Sequence, residues 1–89
     1  MQKIKLAIIN KLGLHARAAA KLVNVANRYA SESLIIKGNN VVNAKSIMGL
    51  MMLGANKGTE LEISVEGEDE IAAFQAIVDL INNRFEEAE

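Results

Sequence analysis

The sequence predicts an α+β fold in which helices cover one face of a mainly antiparallel sheet. Segments 3–8 and 59–66 alternate polar and apolar residues with the period of two that marks strands with one buried face. Segments 16–28 and 70–85 instead repeat apolar residues at three- and four-residue spacing, the mark of helices with one buried stripe. Elements that each bury a single face need two layers. With 89 residues and no proline, the chain forms one domain, 1–89, in the order β-α-β-β-α-β-α.

The first strand is Lys3-Ile4-Lys5-Leu6-Ala7-Ile8, and the pattern changes to helical between Gly13 and His15. Ala19, Leu22, Val23 and Ala26 then form a stripe that carries a helix from Ala16 to about Asn27 or Arg28. Two β-prone runs, 33–37 and 41–43, flank Gly38-Asn39-Asn40, residues that tolerate the positive φ of a tight turn, so a hairpin follows. Ser46 as N-cap and Gly54 as stop bracket a short helix with Ile47, Leu50 and Leu53 inward. In Thr59 to Glu66, Leu61, Ile63 and Val65 point inward and the glutamates outward. Acidic residues 68–70 suit the start of a last helix, whose stripe of Ile71, Phe74, Ile77, Val78, Ile81 and Phe85 takes it nearly to the C-terminus. Lys3, Lys5, Glu60, Glu62 and Glu66 leave the other sheet face to water.

Composition removes several classes of function. Without cysteine there is no disulfide, thiolate nucleophile or sulfur-ligated metal, and a single histidine argues against a transition-metal site; no cofactor is expected. A formal charge of −1 and 3% aromatic residues offer neither the field nor the stacking platforms of a nucleic-acid reader. The opening MQKIKLAII lacks the pattern of a signal sequence, and residues 47–55 fall short of the ~18 apolar residues that span a bilayer. A cytoplasmic protein without membrane insertion is the expectation.

Chemistry concentrates in KLGLHARAAAKLV, residues 11–23. His15 stands at or just before the N-cap of the first helix, where backbone N–H groups lack intrahelical partners and favour an anion. A neutral ring nitrogen there can attack phosphorus, and the phosphoryl group would meet free amides and the Arg17 guanidinium. The plainer reading makes His15 a polar loop residue and Arg17 a solvated side chain. Ala16, Ala20, Asn24 and Asn27 form a small or weakly polar face opposite the core stripe, open to a partner or simply to solvent. Met48, Met51 and Met52 are left partly outward on a helix apolar all round, the adaptable surface that accepts partners. Ser46 is accounted for as an N-cap, and a phosphate on it would also sit at the positive end of the helix dipole. No nucleophile elbow, phosphate-binding glycine loop or zinc-protease motif is present, which suits a carrier better than a full enzyme.

KLGLHAR at 11–17 and KSIMGLMML at 45–53, followed by Lys57-Gly58, together resemble the histidine-containing phosphocarrier (HPr) family of the bacterial phosphoenolpyruvate-dependent phosphotransferase system over essentially the whole chain. The resemblance implies an open-faced β-sandwich, a four-stranded antiparallel sheet covered on one face by three helices. It also implies a phosphoryl relay in which Enzyme I phosphorylates His15 at Nδ1, Arg17 steadies the group, and an Enzyme II A component receives it. Such a chain is a stoichiometric carrier and a monomer, not an enzyme. Ser46 resembles the serine acted on by a kinase/phosphorylase. Ile47, Met48, Met51 and Met52, with Ala16, Ala20 and Asn24, would dock Enzyme I, that kinase and, in some bacteria, a transcriptional regulator. Ala18 stands where the family usually has proline, giving up some rigidity and adding one N–H. A nitrogen-branch paralogue and a purely regulatory module of the same fold are the competing readings.

Overall fold

In the computed structural model, which describes residues 1–88, the elements are β1 (Gln2–Ala7), α1 (Ala16–Ala26), β2 (Glu32–Lys37), β3 (Asn40–Asn43), α2 (Ile47–Met52), β4 (Glu60–Glu66) and α3 (Glu70–Asn82). The strand order is β1-β4-β2-β3, and every hydrogen-bonded pair is antiparallel. Since β4 lies between β1 and β2, those two strands run parallel to each other. The same holds for β3 and β4 across β2, so the fold consists of two interleaved β-α-β units. This is the expected open-faced β-sandwich.

β4 occupies the centre because both its neighbours share its inward register. Ile63 pairs with Ile4 on one side and Ile35 on the other, and Leu61, Ile63 and Val65 are buried beneath the helices. Ala18, Ala19, Leu22, Val23 and Ala26 of α1 and Ala73, Ile77, Leu80 and Ile81 of α3 complete the core. On the open face Lys5 opposes Glu62, and Lys3 reaches the same carboxylate at 4.0 Å.

Three expectations need correction. Ile71 is 73% exposed and lies outside the core stripe of α3, which is centred on Ala73 and Ile77. Ile47 is 43% exposed, so the short α2 buries only Leu50 and, just beyond its end, Leu53. The last helix stops at Asn82, and Arg84, Phe85 and Glu86 then take left-handed φ values of 54°, 53° and 66°. Phe85 is fully buried in the core from within that turn, on the side of the stripe that Ile77 and Ile81 begin. The regular part of α1 also ends at Ala26, with Asn27 as its cap.

Side chains at the starts of α2 and α3 make the polar contacts that matter most here. The Ser46 hydroxyl accepts from the Gly49 amide at 3.0 Å, capping α2. Asp69, at the start of α3, accepts from the Ala30 and Ser31 amides, both at 2.9 Å, and from the Ser31 hydroxyl, tying α3 to the loop before β2. The Ser31 hydroxyl first, and the Ala30 amide next, hold the Asp69 carboxyl below its ordinary value near 3.8. A carboxylate depressed in the folded state stabilises it above that ordinary value and ceases to do so as pH falls through the folded value. Urea unfolding of the native chain should therefore lose stability more steeply between about pH 5 and pH 3 than that of Asp69→Asn. Ser46→Ala should cost about 1 kcal/mol in the same assay, whereas Met52→Ala, at a side chain 80% exposed, should stay within about 0.5 kcal/mol of the native chain.

Candidate functional site

The loop into α1 is fixed by a close approach of two backbones. Gly13 has φ 67°, and a Cβ on it would lie 2.5 Å from the Ala55 carbonyl oxygen. Only glycine fits there. The Leu14 amide then donates to that carbonyl at 2.8 Å, and the Leu14 side chain is buried. Upstream, the Asn10 side-chain amide donates to the Gly13 carbonyl at 2.8 Å, closing the turn from the other side.

His15 follows as the N-cap of α1, with extended backbone (φ −80°, ψ 179°) and its carbonyl accepting from the Ala19 amide at 2.8 Å. Its side chain makes no capping hydrogen bond, so the first-turn amides of α1 face outward without an intrahelical acceptor. The imidazole is 26% exposed and borders an open depression of about 670 Å³ that Lys11, Leu12, Ala16 and Arg17 also line. The Arg17 guanidinium is exposed and makes no hydrogen bond or ion pair among the described residues. The structure thus brings together the two residues that the sequence singled out, an imidazole and a guanidinium without a polar partner among the described residues, at a helix end suited to an anion.

Two residues at this site escaped the sequence reading. Glu87 Oε2 is in hydrogen-bond contact with His15 Nε2, and Glu87 Oε1 accepts from the Asn10 side-chain amide at 3.0 Å. The Asn10 hydrogen bond first, and the His15 contact after it, hold the Glu87 carboxyl below the ordinary carboxylate range, against the opposing effect of burial. The left-handed turn at 84–86 brings Glu87 here. Such backbone costs roughly 1–2 kcal/mol per residue. It is held by the buried Phe85 ring and by Lys21 Nζ, which donates to the Phe85 carbonyl at 2.8 Å. Glu87 lies 72 residues from His15 in sequence, so no local spacing could have announced the pair.

The remaining predicted residues form a second region. Ala16 and Asn24 are exposed on α1 and Ala20 is half-buried. On α2, Met48 and Met52 are 73% and 80% exposed, and Met51 and Ile47 are 46% and 43% exposed. The two helices pack against each other, so the small-residue face and the methionines occupy neighbouring elements. Ser46 opens α2 with its hydroxyl engaged in the cap. Among the described residues no cluster of side chains could hold a metal ion, and no helix is long and apolar enough to cross a membrane.

The family model described as the PTS HPr component phosphorylation site matches residues 2–83. Phosphocarrier protein HPr of Pseudomonas aeruginosa is 53% identical over 90 residues, spanning all of both chains. The crystal structure of HPr-C-His from Thermoanaerobacter tengcongensis superposes with a TM-score of 0.95 at 46% identity, again over all of both chains. An HPr dimer from the same organism superposes with a TM-score of 0.78 at 47% identity, covering 98% of this chain and all of that one. A chain matched by this family model from its first strand to the end of its last helix, and 53% identical over its whole length to a phosphocarrier protein HPr, belongs to the HPr family of phosphotransferase-system phosphocarriers.

Proposed function

We propose that His15 is the phosphoryl acceptor of this carrier, taking the group at Nδ1 from phospho-Enzyme I and passing it to an Enzyme II A component. The observation that supports this most directly is that His15 and Arg17, the latter without a polar partner among the described residues, border one open depression at the uncapped start of α1. Phosphoryl transfer is mainly positioning and charge stabilisation. The Arg17 guanidinium and the first-turn amides neutralise charge on the equatorial oxygens while the ring nitrogen supplies or recovers the bonding pair. An open depression, in place of an enclosed cleft, lets two different partners reach the same nitrogen in turn.

The docking surface extends from Ala16, Ala20 and Asn24 to Ile47, Met48, Met51 and Met52. Ser46 is the regulatory phosphorylation site, modified by a kinase/phosphorylase. A phosphate there stays at the positive end of α2 but places negative charge beside the methionines, weakening apolar docking. A transcriptional regulator that reads this charge would use the same surface. The carrier works in the cytoplasm as a monomer and uses no cofactor.

Intact-mass measurement after mixing the chain with Enzyme I and phosphoenolpyruvate tests the relay. One acid-labile phosphate is expected on the native chain and on Ser46→Ala, and none on His15→Ala. Absence of uptake from a demonstrably active Enzyme I, or uptake that survives His15→Ala, would overturn the assignment. Arg17→Ala should slow transfer by about 10²- to 10³-fold, the usual loss on removing one stabilising donor, and Ser46→Asp should slow it through weaker docking.

A further inference from the structure

Glu87 occupies one end of the His15 ring. Its carboxylate engages Nε2, which leaves Nδ1 as the ring nitrogen without a hydrogen-bond partner among the described residues. The carboxylate is held from behind. Asn10, fully buried, uses one amide group to bridge Glu87 Oε1 at 3.0 Å and the Gly13 carbonyl at 2.8 Å, so the turn that sets His15 also sets its partner. Phe85 and Lys21 fix the backbone that delivers it. A backed carboxylate on one imidazole nitrogen orients the ring, keeps the proton on that nitrogen and stabilises positive charge on the ring.

We infer that Glu87 is a positioning residue for the relay, with Asn10 as its support, directing the phosphoryl group to Nδ1 and stabilising the phosphorylated imidazolium. The inference rests on His15 being the acceptor. In the uptake step the Nδ1 lone pair forms the N–P bond as the donor–phosphorus bond breaks and its electron pair leaves with the donor. The proton stays on Nε2, so the ring becomes a phosphorylated imidazolium facing the Glu87 carboxylate. On onward transfer the N–P bond breaks, its pair returns to Nδ1, and the neutral Nε2–H tautomer is restored without proton exchange. The charged groups around this ring are Glu87 from the C-terminal turn, Arg17 and Lys21 from α1, and Lys11 from the loop before it. Glu87 is the anion among them in contact with the ring.

Phosphorylated native chain, Glu87→Gln and Glu86→Gln are compared in two measurements. Long-range ¹H–¹⁵N spectra locate the phosphoryl-bearing nitrogen, and the hydrolysis rate of the phosphoprotein is followed against pH. The inference expects phosphate on Nδ1 of the native chain. It also expects the pH midpoint of hydrolysis to fall by about one unit in Glu87→Gln, since the cation has lost its facing carboxylate, while Glu86→Gln keeps the native midpoint. Phosphate on Nε2, or coincident midpoints for the native chain and Glu87→Gln, overturns the role of Glu87 while leaving the carrier intact. A native chain that takes up no phosphate from active Enzyme I removes the carrier reading, and this inference with it.

Discussion

The site depends on one backbone contact, the approach of Gly13 and Leu14 to Ala55. A left-handed glycine lets the two loops meet at a distance no Cβ would permit, and the Leu14 amide locks the approach with a hydrogen bond of 2.8 Å. The contact stops the chain from entering a helix any earlier. His15 therefore becomes the N-cap, with its ring outside the helix and the first-turn amides beside it. Leu14 anchors the junction in the core, so the His15 ring stands on a rigid support although it lies at the surface.

The second region is built differently. α2 has six residues and buries little beyond Leu50, so its helical state relies on its ends. Ser46 caps one, and Lys37 Nζ donates to the Leu53 carbonyl at 2.9 Å at the other. Few core contacts leave the methionines free to adapt to partners of different shape. The same economy would make the cap sensitive: a phosphate at Ser46, as proposed above, would change charge and hydrogen bonding where the helix has least other support. A rigid corner at His15 beside a lightly packed α2 suits the proposed role, in which one nitrogen serves several partners.

Much of this was legible in the sequence because it is local. The alternation in β4, the stripe of α1 and the Ser46 cap are set by spacing within a few residues, and His15 with Arg17 falls in one motif. What was missed depends on distant contacts. Strand order needs tertiary pairing, since β4 enters between β1 and β2 from far along the chain. Ile71 fits the helical period but faces water, because the sheet meets α3 through Ala73 and Ile77. The end of α3 was hidden because no glycine marks the left-handed turn; Arg84, Phe85 and Glu86 are held there by the burial of Phe85. With that turn unseen, Glu87 and Asn10 could not be placed beside His15.

The central claim is that the uncapped end of α1 is shaped to receive a phosphoryl group carried on His15. The most direct test is a backbone amide ¹H–¹⁵N spectrum of the chain before and after phosphorylation. The account predicts that the Ala16 and Arg17 amide protons move strongly downfield, as amides that gain an anionic acceptor do, while Leu22, Ile63 and Ile77 stay in place. Unmoved Ala16 and Arg17 amides, or shifts spread through the core, would contradict it.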